Sequence, residues 1–237
     1  MHILQFNYVR RIHRLGLLLL SLIVFNPSLS FAELQESISE ENMTVQTPTS
    51  HKSLLVVGDS LSAAYGLDIH QGWVSLLQNK YPQLNVVNAS ISGETTSGGK
   101  QRLTSLLQKH QPDIMILELG ANDALRGQDL NVSQANLQQM IEACPQFNQA
   151  CKVILLGVQL PTNYGPVYDA LFQKMYQNLA EKNGLFFDPF FLEPVALDPD
   201  LMQWDGLHPN AAAQPVILKR VAPLVERAVK DLEALTF

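Results

Sequence analysis

Leu54 to Gly66 reads LLVVGDSLSAAYG: an apolar run that breaks at Gly58, Asp59 and Ser60. A short, continuous apolar run bounded by turn residues is the pattern of a strand buried on both faces. Ser53–Val57 (SLLVV) therefore predicts the first strand of a parallel sheet. Ser60 then lies just past the strand's carboxyl end, where open α/β sheets gather ligand groups. Many serines in that position only cap a helix, so the rest of the chain has to decide what this one does.

Outward from this stretch, apolar runs alternate with segments of helical spacing. Leu84–Ser90, Asp113–Gly120, Lys152–Val158 and a short run in LFFDPF read as four more strands. Between them, helices are expected over Trp73–Tyr81, Gly98–His110, from a Ser133 cap to about Ala143, and Val167–Asn183 with Gly184 as its stop. A final helix is expected over Ala211–Leu235, broken near Pro215 and Pro223. Such alternation with right-handed crossovers gives an α/β fold: a three-layer α/β/α sandwich on a flavodoxin-like five-stranded parallel sheet.

The N-terminus reads as a removable leader. Arg10, Arg11 and Arg14 precede the apolar Leu15–Phe25, and Ser30-Phe31-Ala32 supplies a small-x-small cleavage site. The apolar core is about 11 residues, against the roughly 20 that a spanning helix needs. Residues 1–32 are thus expected to be a signal peptide, 33–52 a polar disordered tether, and 53–237 one domain, periplasmic or secreted and with no stable membrane insertion after cleavage. The 16 basic and 22 acidic residues give a net charge of −6, and loss of the leader's three arginines takes it to −9. That surface disfavours nucleic acid as a partner. Cys144 and Cys151 are the only cysteines. In an exported protein they are expected to pair, with a metal site or a thiol nucleophile as the alternatives.

Two further strands end in polar, glycine-bearing segments on the same sheet edge as Ser60. The second leads into NASISGETTSGG with Gly93, the third into ELGANDALRG with Asn122 and Asp123. A serine hydroxyl attacks only when a base takes its proton, and that base is usually a histidine oriented by a third group. His51 falls in the tether, His70 in a polar loop and His110 at a helix end. His208 stands in WDGLHPN, with Asp205 three residues earlier and Gly206 to allow the turn. The plainer alternative is a turn whose Asp205 or Asn210 caps the last helix. Acyl transfer also needs oxyanion donors, for which the Ser60 and Gly93 N–H groups and the Asn122 carboxamide are candidates. Asp59 and Asp123 read as loop braces.

Ser60 in GDS, Gly93 in NASISGET, Asn122 in GAND and Asp205–His208 in DGLH together resemble the four signature blocks of the SGNH, or GDSL, hydrolases. GDSLSAAYG, ELGANDALRG and QLPTNYG are similar to its periplasmic multifunctional branch of thioesterases, lysophospholipases and arylesterases. The resemblance implies a metal-free serine mechanism and broad hydrolysis of esters and thioesters; short to medium acyl chains, small-molecule substrates with lysophospholipids as candidates, no cofactor and a monomer are expected. It makes Ser60 the nucleophile, His208 the base, Asp205 its orienter, and Ser60, Gly93 and Asn122 the oxyanion hole. It also implies an acyl-sensing loop over Ala124–Asp129, although Ala121 and Ala124 stand where relatives often carry glycine. The cysteine pair lies outside that pattern.

Other readings fit less well. Gly58-Asp59-Ser60-Leu61-Ser62 lacks the last glycine of a nucleophile elbow, and Ser97–Lys100 spells SxxK without SDN or KTG. SGETTSGGKQ departs from a phosphate loop at Glu94 and Gln101. A carbohydrate O-deacetylase and a non-catalytic binding module on the same fold are the alternatives carried forward.

Overall fold

The computed structural model describes residues 51–160 and 164–234. The expected leader and nearly all of the expected tether lie outside the described residues. Among these residues five strands form one parallel sheet: β1 (Lys52–Gly58), β2 (Leu84–Asn88), β3 (Ile114–Glu118), β4 (Lys152–Leu156) and β5 (Phe186–Asp188), in the order β2-β1-β3-β4-β5. The apolar run at Leu54–Val57 lies in the inner strand β1. Leu54 to Val57 are fully buried, with Leu54 opposite Val86 on one side and Ile114 on the other.

Among the described residues, six α-helices cover the sheet: α1 (Trp73–Lys80), α2 (Thr96–His110), α3 (Ala121–Leu125), α4 (Leu130–Phe147), α5 (Pro166–Asn183) and α6 (Gln214–Ala234). α1 packs on α6, while α2 packs on α4 and α4 on α5, so both faces are closed. Local chemistry sets the boundaries. Thr95 caps α2 by accepting the Gly98 N–H at 3.2 Å, and Gly184 at φ +61° ends α5.

Two expectations need correction, and one helix was not expected. Ser133 does not cap α4: the helix starts three residues earlier behind Asp129, whose carboxylate accepts the Asn131 N–H at 2.9 Å. The Ser133 hydroxyl is buried and donates to Asp123 Oδ1 at 3.1 Å. The short helix α3 was not expected; it occupies the first two positions of the anticipated acyl-sensing loop. The last helix is not broken. Pro215 sits in its first turn, where no intrahelical N–H is needed. Pro223 lies inside a continuous helix held down by the buried Val221, Ala222, Leu224 and Val225.

Cys144 and Cys151 form a disulfide with Cα atoms 5.8 Å apart. It ties the end of α4 to the start of β4, at the amino-terminal edge of the sheet. The carboxyl edge, opposite, carries Ser60.

Candidate active site

β1 ends at Gly58, and the chain turns at once: the Ser62 and Ala63 N–H groups donate to the Asp59 carbonyl at 3.3 and 3.0 Å. Neighbours clamp this turn from several sides. Trp73 Nε1 donates to the Leu61 carbonyl at 3.2 Å, and Asn88 Nδ2 to the Ser62 carbonyl at 2.8 Å. Ser60, half-buried, is presented at the top of the turn.

The segment before α6 delivers the other partners. Gly206 at φ +68° lets the chain fold back, a conformation that costs a glycine little. Asp205 Oδ1 then accepts the N–H groups of Leu207 at 2.9 Å and His208 at 3.0 Å. Asp205 Oδ2 lies 2.7 Å from His208 Nδ1, and His208 Nε2 lies 2.9 Å from Ser60 Oγ. Three residues spread over 148 positions form one hydrogen-bonded line. Burial works to raise the Asp205 carboxyl, but the two backbone N–H bonds and the imidazole outweigh it and hold the group below its ordinary value. The Tyr65 ring leans on the imidazole, centroids 4.4 Å apart.

The expected oxyanion donors stand around the same turn. The loop after β2 is anchored to β1 through the Ile91 N–H on the Gly58 carbonyl at 3.0 Å, which brings Gly93 beside the serine turn. Gly93 is exposed at φ +78°, and its carbonyl accepts from Arg126 at 3.1 Å. Neither the Ser60 N–H nor the Gly93 N–H has an acceptor among the described residues. Asn122, in α3, donates one amide hydrogen to Asp59 Oδ2 at 3.0 Å. Asp59 thus braces the site, and Asp123 braces it one layer down, accepting from the Thr96 N–H at 2.8 Å and from the Ser133 hydroxyl.

Sequence reasoning missed Glu118, the last residue of β3. It is fully buried, and its Oε2 accepts the Asp59 N–H at 3.2 Å and the Ser62 hydroxyl at 2.8 Å. Gly58 is what admits it: a Cβ there would stand 2.7 Å from Glu118 Oε2. The available signal was a glutamate closing an otherwise apolar strand, IMILE. Gln203 was missed too, and nothing in its local sequence marks it. Beside the 205–208 turn runs an apolar groove of about 350 Å³ lined by Leu160, Phe190, Leu192, Leu197, Met202 and Leu207. Among the described residues, no group of three His, Cys, Asp or Glu side chains is placed to hold a metal ion.

The GDSL-like Lipase/Acylhydrolase family pattern matches residues 56–215, from inside β1 to the start of α6. The chain belongs to that family. Among curated members of the GDSL family it is similar to Esterase TesA of Pseudomonas aeruginosa, 47% identical over 181 residues, covering 74% of this chain and 88% of that protein. It is also similar to Thioesterase 1/protease 1/lysophospholipase L1 of Escherichia coli K12, 42% identical over 178 residues, 73% of this chain and 85% of that one. The crystal structure of TesA superposes with a TM-score of 0.72 at 46% identity, covering 75% of this chain and 99% of its own. The GDSL fold, a five-stranded parallel sheet between helices, is therefore the one this chain adopts.

Proposed function

We propose that this protein is a serine hydrolase that cleaves carboxylic esters and thioesters of short to medium acyl chains through an acyl-enzyme. One observation carries the reading: the unbroken line from Ser60 Oγ to His208 Nε2, and from His208 Nδ1 to Asp205. With Nδ1–H donated to a carboxylate, Nε2 is left as the acceptor that a general base requires. His208 takes the hydroxyl proton as Ser60 attacks the acyl carbonyl. The tetrahedral oxyanion is met by the free N–H groups of Ser60 and Gly93 and by the Asn122 amide. The imidazolium, stabilised by Asp205, then protonates the departing alcohol or thiol. Water repeats the sequence on the acyl-enzyme and releases the acid.

The apolar groove beside the base supports a hydrophobic substrate, and the relatives' names supply the classes to try: esters, thioesters and lysophospholipids. The same reading places the working protein outside the reducing cytoplasm, supported by the leader pattern of residues 1–32 and by the disulfide. Hydrolysis of p-nitrophenyl butyrate tests the mechanism. Ser60→Ala is expected to lower kcat by at least about 10⁴-fold, the scale seen when a triad member is removed. Equal rates for the two proteins overturn the assignment. Acyl-thioesters, lysophospholipids and acetylated sugars assayed beside it resolve the substrate class, and a sharp preference for acetylated sugar would replace it with a deacetylase.

A further inference from the structure

Behind the serine turn lie two carboxyl groups that the reaction as written does not use. Glu118, at the end of β3, and Asp59, at the start of the turn, are both buried, and neither is paired with a lysine or arginine. Two carboxylates in contact in a dry interior cannot both stay ionised, because mutual repulsion and lost hydration both favour keeping one proton.

The hydrogen bonds say where that proton sits. Glu118 Oε2 is fully occupied as an acceptor of the Asp59 N–H and the Ser62 hydroxyl. Glu118 Oε1 is buried and has no donor facing it. A bare carboxylate oxygen there would be costly, whereas a protonated Oε1 is itself a donor. Asp59 is the acid next to it, and side-chain hydrogen bonding between the two carboxyl groups lowers Asp59 and raises Glu118, which favours the proton on Glu118. Asp59 Oδ1 already accepts the Leu61 N–H at 3.0 Å, and Oδ2 accepts Asn122 Nδ2 at 3.0 Å. Every contact of Asp59 therefore suits an ionised acceptor, and every contact of Glu118 suits a neutral acid.

Resting on the serine-hydrolase reading above, we propose that Glu118 is a positioning residue that keeps a proton and donates it to Asp59, so that Asp59 stays a pure acceptor and fixes the Asn122 amide with its nitrogen toward the oxyanion. An amide can bind a neighbour through either end, and only an ionised partner imposes one. A protonated Asp59 would donate to the oxygen of a flipped amide, which would then offer the substrate an oxygen instead of a donor. Glu118 thus serves the oxyanion side of Ser60 much as Asp205 serves the imidazole side. The other titratable groups facing the pair are Tyr176 from α5 and His208 from the final loop. Neither donates to Glu118 Oε1.

Glutamine is the isostere of a neutral glutamic acid: its oxygen can accept from Asp59 N–H and Ser62, and its NH₂ can donate to Asp59. Glu118→Ala is expected to lower kcat about 10- to 100-fold with KM nearly unchanged, since a misaimed donor is felt in the transition state. Glu118→Gln should recover kcat to within about threefold of the unsubstituted protein. Infrared spectra of folded protein at neutral pH should contain the carbonyl band of a buried protonated carboxylic acid, and Glu118→Gln should remove it. If Glu118→Gln is as impaired as Glu118→Ala, or if the band is absent, Glu118 is ionised and the inference fails. It also fails if Glu118→Ala matches the unsubstituted protein. Should Glu118→Ala not fold, the glutamine kinetics and the band decide alone. Ser60→Ala, run alongside, separates the outcomes: if it retains full activity, the hydrolase reading itself has failed.

Discussion

Asp205 and Asp59 are carboxylates on either side of one serine, and their surroundings push them in opposite directions. Asp205 sits among donors and is held low; Asp59 is buried beside a second acid and is raised from 3.8 to about 6, with desolvation the largest cause. The two shifts have opposite consequences for stability. Asp205, lowered in the folded state, contributes stability above its unfolded value that is lost as pH falls through its folded one. Asp59, raised, contributes stability below 3.8 that is lost as pH climbs through about 6. Over that window the folded protein binds the extra proton, so stability falls as pH rises. Asp59→Asn removes this term. Urea unfolding at pH 4 and pH 7 should therefore show the gap between the two proteins shifting toward the asparagine variant as pH rises, and a constant gap would deny the buried, raised acid. Ser60, Asp205 and His208 were legible in the sequence because each needs a residue type that few positions offer. Glu118 was not, because its meaning comes from Gly58 and Ser62 on a neighbouring strand and turn.

At the scale of elements, strands were easier to read than helix ends. Continuous apolar runs such as Leu54–Val57 admit one interpretation when helices alternate with them. Helix boundaries depend on tertiary competition: Ser133 has the chemistry of a cap, but the buried Asp123 recruits its hydroxyl and Asp129 takes the cap. Pro223 reads as a break, yet packing on both sides of it outweighs the one lost bond. α3 was illegible because five residues carry no period to detect. The disulfide permits a clean separation of element from site, since it closes the α4–β4 connection at the edge of the sheet remote from Ser60. Replacing both cysteines by alanine should cost roughly 2–3 kcal/mol in urea unfolding, the closure entropy of a short loop, while kcat on the p-nitrophenyl ester stays the same. A drop in kcat without a drop in stability would mean that the connection reaches the site after all.

For the whole molecule, the question is how a segment near the end of the chain is seated over a turn near its start. The sheet holds β1 between β2 and β3 but does not reach residues 203–209. Gln203 makes that connection. Its Nε2 donates to the Tyr65 carbonyl at 2.8 Å on the serine side and to the Pro209 carbonyl at 3.1 Å on its own side. Its backbone N–H holds the His208 carbonyl at 2.7 Å. Gly66 leaves room for the amide, because a Cβ there would come within 2.3 Å of Gln203 Oε1. The Tyr65 ring against His208 completes the seat. Gln203→Ala keeps the backbone bond but deletes both amide bonds, which ordinarily are worth about 1 kcal/mol each. Catalysis is steeper in distance than stability is, so the imidazole's alignment with Ser60 should suffer more than the fold. The expected result is a kcat about 10- to 100-fold lower, with unfolding stability reduced by no more than about 2 kcal/mol. Unchanged kcat would show that the 205–208 turn holds His208 on Ser60 by itself, through Asp205 and Gly206 alone, and that the bridge to Tyr65 is incidental to the alignment.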